Sequence, residues 1–280
     1  MLQSRIQRQI PQRLCHHTNL EACKSILSDS ESKGICLRVV SNKCKNDDQE
    51  IKMGEYMLNR IREAIPDMSM IHQFGGYNES ASLSFMEGDT TIGMLEKYGN
   101  FRLEFDLRKS VDIGVCGGLI DCEYVPHEKL KEYADEYCQL MGETLYAISL
   151  LQDRYGKTGA APLNALMSTI MMELDIMAKV FGMKEIKWQE EKEWRLIKSL
   201  KDGNPDIQYT PDVKPYINFY LPKQTLTGIT IFYDEKDFQK AMAQRNELQE
   251  YINSRGYEAR VKLHPVKGLW QQDVALHLAR

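Results

Sequence analysis

The sequence has few of the features that mark membrane or secreted proteins. No apolar run approaches the roughly 20 residues that a membrane-spanning helix requires, and the N-terminus lacks the apolar core of a signal peptide. The chain also contains no internal repeat and no low-complexity segment. We therefore expect a cytoplasmic protein that has no membrane partner.

The cysteines are scattered, and positive charge is not in excess. Structural zinc sites use closely spaced cysteine pairs, which this chain lacks, so we expect reduced thiols that mostly pack in the interior. The formal net charge of -4 gives no global attraction to phosphate, and a nucleic-acid partner would need a local basic patch. The seven cysteines are Cys15, Cys23, Cys36, Cys44, Cys116, Cys122 and Cys138.

The order of strand-like and helix-like stretches predicts an α+β fold. The chain has 280 residues, of which 42% are hydrophobic, and this is enough to bury a substantial core. We predict a single domain over residues 1–280, with a split, mostly antiparallel sheet and flanking helices.

Two long helical stretches interrupt the strand pattern. Both carry apolar residues at spacings of three and four, and the turn-forming segment GKTGAAP separates them. We predict a helical hairpin inserted between Glu128 and Met183. The two stretches are EKLKEYADEYCQLMGETLYAISLLQDRYG and PLNALMSTIMMELDIMAKVFGM.

The first predicted strand, RLCHHTN, leads directly into a helix, LEACKSILSD, which Thr18 or Asn19 can cap. This turn places His16 and Thr18 beside a helix N-terminus, where free N–H groups and the helix dipole favour an anion such as a phosphate. The alternative is that the histidine has only a structural role in packing.

A middle segment, ESASLSFMEG, alternates apolar residues with serines. Its small hydroxyls, among them Ser82 and Ser84, therefore share one face of a predicted strand and either line a ligand cleft or face water. A short helix that ends at Gly99 brings Tyr98 close to the next strand, FRLEFDLRK. The run LIDCEYV looks like the hairpin partner of that strand.

The stretch KWQEEKEWRLIKSL, from Lys187 to Leu200, is predicted to be a strand whose two faces differ. Glu191, Glu193 and Arg195 would share one face. Two carboxylates at this separation raise each other's proton affinity unless a cation such as Arg195 holds them ionised. An ordinary solvated strand with structural ion pairs is the alternative interpretation. The opposite face would carry Trp188, Glu190, Lys192, Trp194 and Leu196.

Several short motifs extend over nearly the whole chain. They are H-x-T before a helix ending in I-L, the N-D-D-Q-E turn, the S-L-S-F strand, K-Y-G followed by F-D, the W-x-x-E-x-E-W-R block, and the later L-P and G-I-T-I strands. Together they resemble a large prokaryotic family catalogued as domain of unknown function 2971. The chain departs from that pattern at Gly93–Glu96, where the family usually has a tryptophan.

The early H-x-T strand, the serine-bearing middle strand and the late E-x-E strand are also similar to the ADP-ribosyltransferase superfamily, particularly its small bacterial toxins. The resemblance implies an ADP-ribosyltransferase-like split sheet, with NAD as a substrate that this chemistry consumes. The implied NAD-binding residues are His16, Thr18, Ser82, Ser84, Tyr98 and Arg195, and the implied catalytic residues are Glu193 and Glu191.

The implied function is an NAD-dependent ADP-ribosyltransferase that acts on a cytoplasmic macromolecule, either protein or nucleic acid. Breaking the bond between ribose and nicotinamide builds an oxocarbenium-like cation, which a fixed carboxylate stabilises without a metal. A second carboxylate can orient or deprotonate the acceptor. The resemblance further implies a toxin or phage-defence effector, with an antitoxin or other regulatory protein as a partner.

Two other functions are compatible with the sequence. Glu190 and Lys192 form an E-x-K pair that, with Asp106 or Asp121, resembles the magnesium site of a restriction-type nuclease. The expected position of this pair on the face of Trp194 argues against that function. The third possibility is a non-enzymatic interaction module whose helical hairpin binds a partner.

Overall fold

The computed structural model describes residues 9–28, 34–44, 48–66, 79–110, 119–155, 172, 175–176, 178–200 and 204–267. The chain divides into two compact units. The described residues of the first unit fall within 39–83 and 117–217, and those of the second within 9–38, 84–116 and 218–267. Strands β2, β3 and β10, defined below, contribute residues to both units.

The described residues include twelve strands and five α-helices, joined in places by short 3-10 helices, and residues 172, 175–176 and 178–181 are also helical. The strands are β1 (Leu14–Thr18), β2 (Ile35–Ser41), β3 (Ser80–Met86), β4 (Phe101–Phe105), β5 (Leu119–Asp121), β6 (Glu123–Val125), β7 (Met183–Glu185), β8 (Glu193–Ser199), β9 (Ile207–Tyr209), β10 (Pro215–Leu221), β11 (Leu226–Tyr233) and β12 (Arg260–Pro265). The helices are α1 (Leu20–Ile26), α2 (Asp48–Ala64), α3 (Ile92–Tyr98), α4 (Leu130–Tyr155) and α5 (Phe238–Ser254).

In the second unit the strand order is β12-β11-β4-β1, followed by the end of β3. The pairing is antiparallel except between β11 and β12, which are parallel. Strand β4 shows why this sheet forms, because Phe101, Leu103 and Phe105 alternate with Arg102 and Glu104 and are buried on one face. Helix α5 packs against β11 and β12.

In the first unit β2 and β8 pair with β3, β5 pairs antiparallel with β8, and β9 pairs antiparallel with β10. Strands β6 and β7 form a separate parallel pair. The apolar face of α2 presents Met53, Met57 and Ile61 at a spacing of four, which places them on one side of the helix. These side chains form a core with α4 and Ile197 of β8.

The α+β class and the largely antiparallel character of the sheet are confirmed. The predicted hairpin partner of β4 is wrong. The run LIDCEYV forms two short strands instead, and β5 pairs with β8 while β6 pairs with β7. Strand β4 lies between β1 and β11.

The predicted helical hairpin falls partly on described residues. Helix α4 packs against the described helical residues 172, 175–176 and 178–181. The Tyr137 hydroxyl donates to Asp175 at 2.8 Å, and Lys179 donates to the Tyr133 hydroxyl at 2.7 Å. Lys179 is also paired with Glu123 of β6. The predicted turn GKTGAAP and the start of the second predicted helical stretch fall within residues 156–171, outside the described residues, so the insertion from Glu128 to Met183 remains a prediction.

Within the part of the chain that the structure describes, no helix is both long enough and apolar enough to cross a bilayer.

Candidate functional site

The segment before β8 is not a strand, contrary to the sequence-based prediction for Lys187 to Leu200. Residues Ile186–Glu191 form a 3-10 helix, and Lys192 follows in the left-handed region with φ 42°. The strand begins at Glu193. Alternation therefore applies only from Glu193 onward, where Glu193, Arg195 and Ile197 share one face and Trp194 and Leu196 lie on the other.

Arg195 and Glu193 form a buried ion pair on β8. The two residues are 1% and 2% exposed. The Arg195 Nε donates to Glu193 Oε1 at 2.8 Å, and its Nη2 donates to Oε2 at 3.2 Å, so both carboxylate oxygens accept from one guanidinium. The Nη1 of Arg195 donates to the carbonyl of Phe181 at 2.7 Å, which fixes the plane of the group.

Lys184 of β7 brings Glu191 and Glu193 together. Its Nζ donates to Glu193 Oε2 at 2.5 Å and also to Glu191 Oε2. Glu191 ends the 3-10 helix and Glu193 starts β8, so the two carboxylates reach one ammonium from different elements. The sequence-based pairing of Glu191 with Glu193 is therefore observed, although not through a shared strand face.

Glu50, near the start of α2, completes this group, which we call the charge cluster: Glu50, Lys184, Glu191, Glu193 and Arg195. Glu50 Oε1 lies 2.8 Å from Arg195 Nη1. All five side chains are buried. With every member ionised, three carboxylates face two cations, and the cluster carries one excess negative charge.

The surroundings favour the ionised form of the two cations. Burial lowers the pKa of Lys184, but Glu193 and Glu191 outweigh it and raise that pKa above its ordinary value. Burial likewise disfavours the charged form of Arg195, and the neighbouring anionic groups raise its pKa well above the usual range. Both cations of the cluster therefore stay charged at neutral pH.

Two neutral groups adjoin the cluster. The Tyr124 hydroxyl accepts a hydrogen bond from the backbone N–H of Glu193 at 2.7 Å. Burial raises the pKa of the Tyr124 hydroxyl and of the Cys122 thiol, so both stay protonated at neutral pH.

Ser82, an expected nicotinamide-side residue, lies in the first unit within a buried hydrogen-bond group. Its hydroxyl donates to Asn42 Oδ1 at 2.6 Å, and the Asn42 amide donates to the Ser80 hydroxyl at 2.7 Å. Asn42 directly follows β2, which pairs with β3 through Val40 opposite Ser82. The serine face of β3 therefore serves at least partly to join β3 to the end of β2.

His16, an expected NAD contact, lies in the second unit and meets the backbone of Ser84. Its Nδ1 is 3.0 Å from the Ser84 carbonyl oxygen, and its ring packs edge-on to Phe85. Burial lowers the pKa of His16, so the imidazole is neutral at pH 7. The structure thus brings His16 and the backbone of Ser84 together.

Thr18 and Tyr98 lie on adjoining elements of the same unit. Gly99, which follows Tyr98, has φ 103°, and a Cβ built there would lie 2.4 Å from the Thr18 carbonyl oxygen. The end of α3 therefore packs directly on the end of β1. The predicted cap of α1 is confirmed for Asn19, whose side chain accepts from the Ala22 N–H at 2.8 Å.

The structure corrects the expected position of the E-x-K pair in the nuclease interpretation. Glu190 and Lys192 are exposed and precede β8, so they do not share a strand face with Trp194, and a shared face is therefore no argument against the nuclease. Asp106 belongs to the second unit, where it is paired with Arg108. Among the described residues, no group of three or more His, Cys, Asp or Glu side chains is placed to hold a metal ion.

The site predicted from the sequence did not include two members of the charge cluster, Lys184 and Glu50. Glu50 belongs to the N-D-D-Q-E turn, but that turn also fits an ordinary acidic helix start, and it gave no sign of contact with Arg195. Lys184 had no signal of its own, because one lysine seven residues before Glu191 is unremarkable in a sequence.

Comparison with known proteins adds no relative. No family model, curated protein or solved structure matches the chain.

Proposed function

We propose that the protein is an NAD-dependent ADP-ribosyltransferase with Glu193 as its catalytic carboxylate and Glu191 as the assisting one. The observation that carries the proposal is the convergence of the two carboxylates on Lys184, with Glu193 also held by both donors of Arg195. Two acids and a guanidinium in the E-x-E-W-R order are the arrangement expected from the resemblance to ADP-ribosyltransferases.

The chemistry of this cluster fits the cleavage of NAD. As the bond to nicotinamide breaks, positive charge develops on the ribose ring, and a preorganised carboxylate stabilises that charge in a low-dielectric environment. The excess negative charge of the cluster favours the same outcome. Glu191, which is held next to Glu193, would act as the general base that accepts a proton from the attacking acceptor.

The remaining assignments follow from the resemblance. His16 and Thr18 would bind NAD, Ser82, Ser84 and Tyr98 would line the nicotinamide side, and the sheet would be of the split ADP-ribosyltransferase type. The neutral state of His16 is compatible with a hydrogen bond to a ribose hydroxyl.

Binding of NAD is tested by thermal unfolding. A ligand that binds only the folded chain at about 100 times its Kd adds about 2.7 kcal/mol to the free energy of unfolding, which raises the melting temperature. We expect this rise with NAD and none with magnesium alone. A rise with magnesium and none with millimolar NAD would favour a nuclease.

Transfer is tested with labelled NAD and cell lysate. The intact chain should pass label to protein or nucleic acid, and this identifies the acceptor class. Glu193→Gln keeps the shape of the side chain but removes its charge, so the rate should fall about 100-fold. Glu190→Gln is the matched control, because Glu190 lies nearby in sequence but is exposed, and it should transfer normally. Normal transfer by Glu193→Gln would remove Glu193 from the chemistry.

We further propose a role as a toxin or phage-defence effector that acts on a cytoplasmic target. Expression of the intact chain in a bacterium should arrest growth, whereas Glu193→Gln and His16→Ala should not. Growth with all three proteins, together with label transfer by the intact chain in vitro, would indicate control by an antitoxin or other regulatory partner. Growth without any transfer would contradict the toxin role.

A second candidate function is a protein-interaction module, which the surface of α4 favours. From Gly142 to Leu150 no residue is buried, and Tyr146 and Leu150 are 66% and 50% exposed. Exposed apolar side chains in one stretch are typical of protein contacts. If this function is correct, Tyr146→Lys with Leu150→Lys should abolish capture of a partner protein while NAD has no effect on the chain.

A further inference from the structure

Lys184 bridges two acidic side chains in addition to packing in the interior. It lies on the short strand β7, opposite Tyr124 in the parallel pair with β6, and its side chain is buried. Its Nζ contacts Glu191 and Glu193 and lies 5.9 Å from the centre of the Trp188 ring. A buried lysine that joins two acids from different elements is placed to control their separation and their charge.

We propose, on the basis of the transferase function proposed above, that Lys184 is a positioning residue that holds the Glu191 and Glu193 carboxylates together and keeps both ionised. Arg195 does not replace it, because its guanidinium contacts are to Glu193, Glu50 and the Phe181 carbonyl. Lys184 therefore links the assisting carboxylate to the catalytic one.

The physical basis is the repulsion between two neighbouring carboxylates. Without a cation between them, one of the pair takes up a proton at a higher pH, by about 1 to 3 units for groups this close. Among the described residues, ionisable groups that face the pair come from α2, β6, β7, the 3-10 helix, β8 and the link between β5 and β6. They are Glu50, Tyr124, Lys184, Glu191, Glu193, Arg195 and Cys122.

The test compares Lys184→Met with Lys184→Arg in the full chain. In a plot of the label-transfer rate against pH, the acid limb for Lys184→Met should lie about 1 to 3 pH units higher than for the intact chain. Below that limb the rate should fall about tenfold per pH unit. Lys184→Arg retains the cation and should restore the original profile. An unchanged profile for Lys184→Met, or no rescue by Lys184→Arg, would overturn the proposal.

A second measurement does not depend on activity. Carbon-13 NMR of glutamate carboxyl groups follows their protonation directly, and Glu191→Gln and Glu193→Gln identify the two signals. One of the two should titrate about 1 to 3 units higher in Lys184→Met than in the intact chain. If the intact chain transfers no label, the transferase function fails, while this titration still decides the role of Lys184.

Loss of the fold in Lys184→Met is also informative. The double variant Lys184→Met with Glu191→Gln removes one charge of each sign and returns the cluster to its original net charge. Recovery of the fold in the double variant would support the pairing, and failure to recover, with Lys184→Arg folded, would overturn it.

Discussion

The ammonium of Lys184 lies 2.5 Å from a carboxylate oxygen of Glu193, although the two residues belong to different strands that do not pair with each other. Each member of the charge cluster lies on an element whose main-chain path is fixed by other contacts. The cluster is therefore preorganised, and its properties follow from the balance of its charges.

The charge balance predicts unequal costs for removing a cation and removing an acid. Lys184→Met leaves three carboxylates with one cation in the interior, and loss of one partner from a buried pair costs about 3–5 kcal/mol. Glu193→Gln leaves two of each sign and keeps hydrogen-bonding atoms in place, so its cost should be about 1–2 kcal/mol. Urea unfolding monitored by circular dichroism measures both values, and an inverted order would contradict the charge count.

His17 predicts a loss of stability in acid. Burial, together with nearby Arg102, lowers the pKa of His17 from 6.5 to about 4. The unfolded chain therefore binds a proton more readily between these values, so the stability that neutral His17 provides is present above pH 6.5 and is lost as pH falls towards 4. The full effect is roughly 3 kcal/mol.

The measurement for His17 compares unfolding at pH 7 and pH 4.5. His17→Gln removes the titrating group and should lose less stability on acidification than the intact chain. His127→Gln, at an exposed position, is the control and should follow the intact chain. The same acid loss in all three proteins would assign it to other groups.

The backbone conformation and close packing of Gly99 predict that a single added methyl group lowers the stability of the fold. Its φ is 103°, and an added Cβ would lie 2.4 Å from the carbonyl oxygen of Thr18, which belongs to β1. Gly99→Ala should therefore cost at least about 1–3 kcal/mol through strain and displacement of the chain.

Gly142 is the matched control for Gly99. It lies inside α4, and, apart from its chain neighbours and the helix's own backbone, no atom of the described residues would be within 4 Å of a Cβ placed there. Gly142→Ala should stabilise the helix by about 0.5–1 kcal/mol, because alanine loses less backbone freedom on folding. The urea midpoint should shift in opposite directions for the two substitutions. Shifts in the same direction would contradict the positive φ and the close contact at Gly99.

The thiols should react with alkylating reagents in the order of their exposure. Burial raises the pKa of Cys23 to about 12, and it also raises that of Cys122, so both resist alkylation in the folded chain. Cys36 and Cys44 are half-buried and should react earlier. Mass spectrometry after timed iodoacetamide treatment gives the order, and early labelling of Cys122 would show that its surroundings open readily.

Local sequence patterns determined much of the secondary structure. The serine alternation predicted β3, and an Asn19 cap and helical spacing predicted α1, because these signals depend only on residues within a few positions of one another. The pairing of Glu193 with Arg195 could also be predicted from the sequence, because two residues at a spacing of two share a face of any strand.

The tertiary structure alone decided which distant residues complete the charge cluster. Glu50 reaches Arg195 from α2, and Lys184 reaches Glu191 from β7, contacts that depend on helix packing and strand pairing and leave no periodic trace in the sequence. The 3-10 helix before β8 likewise overrides an alternation that predicted a longer strand. Local periodicity reports which face of its own segment a residue occupies, whereas the partner on that face is fixed only when separate segments pack together.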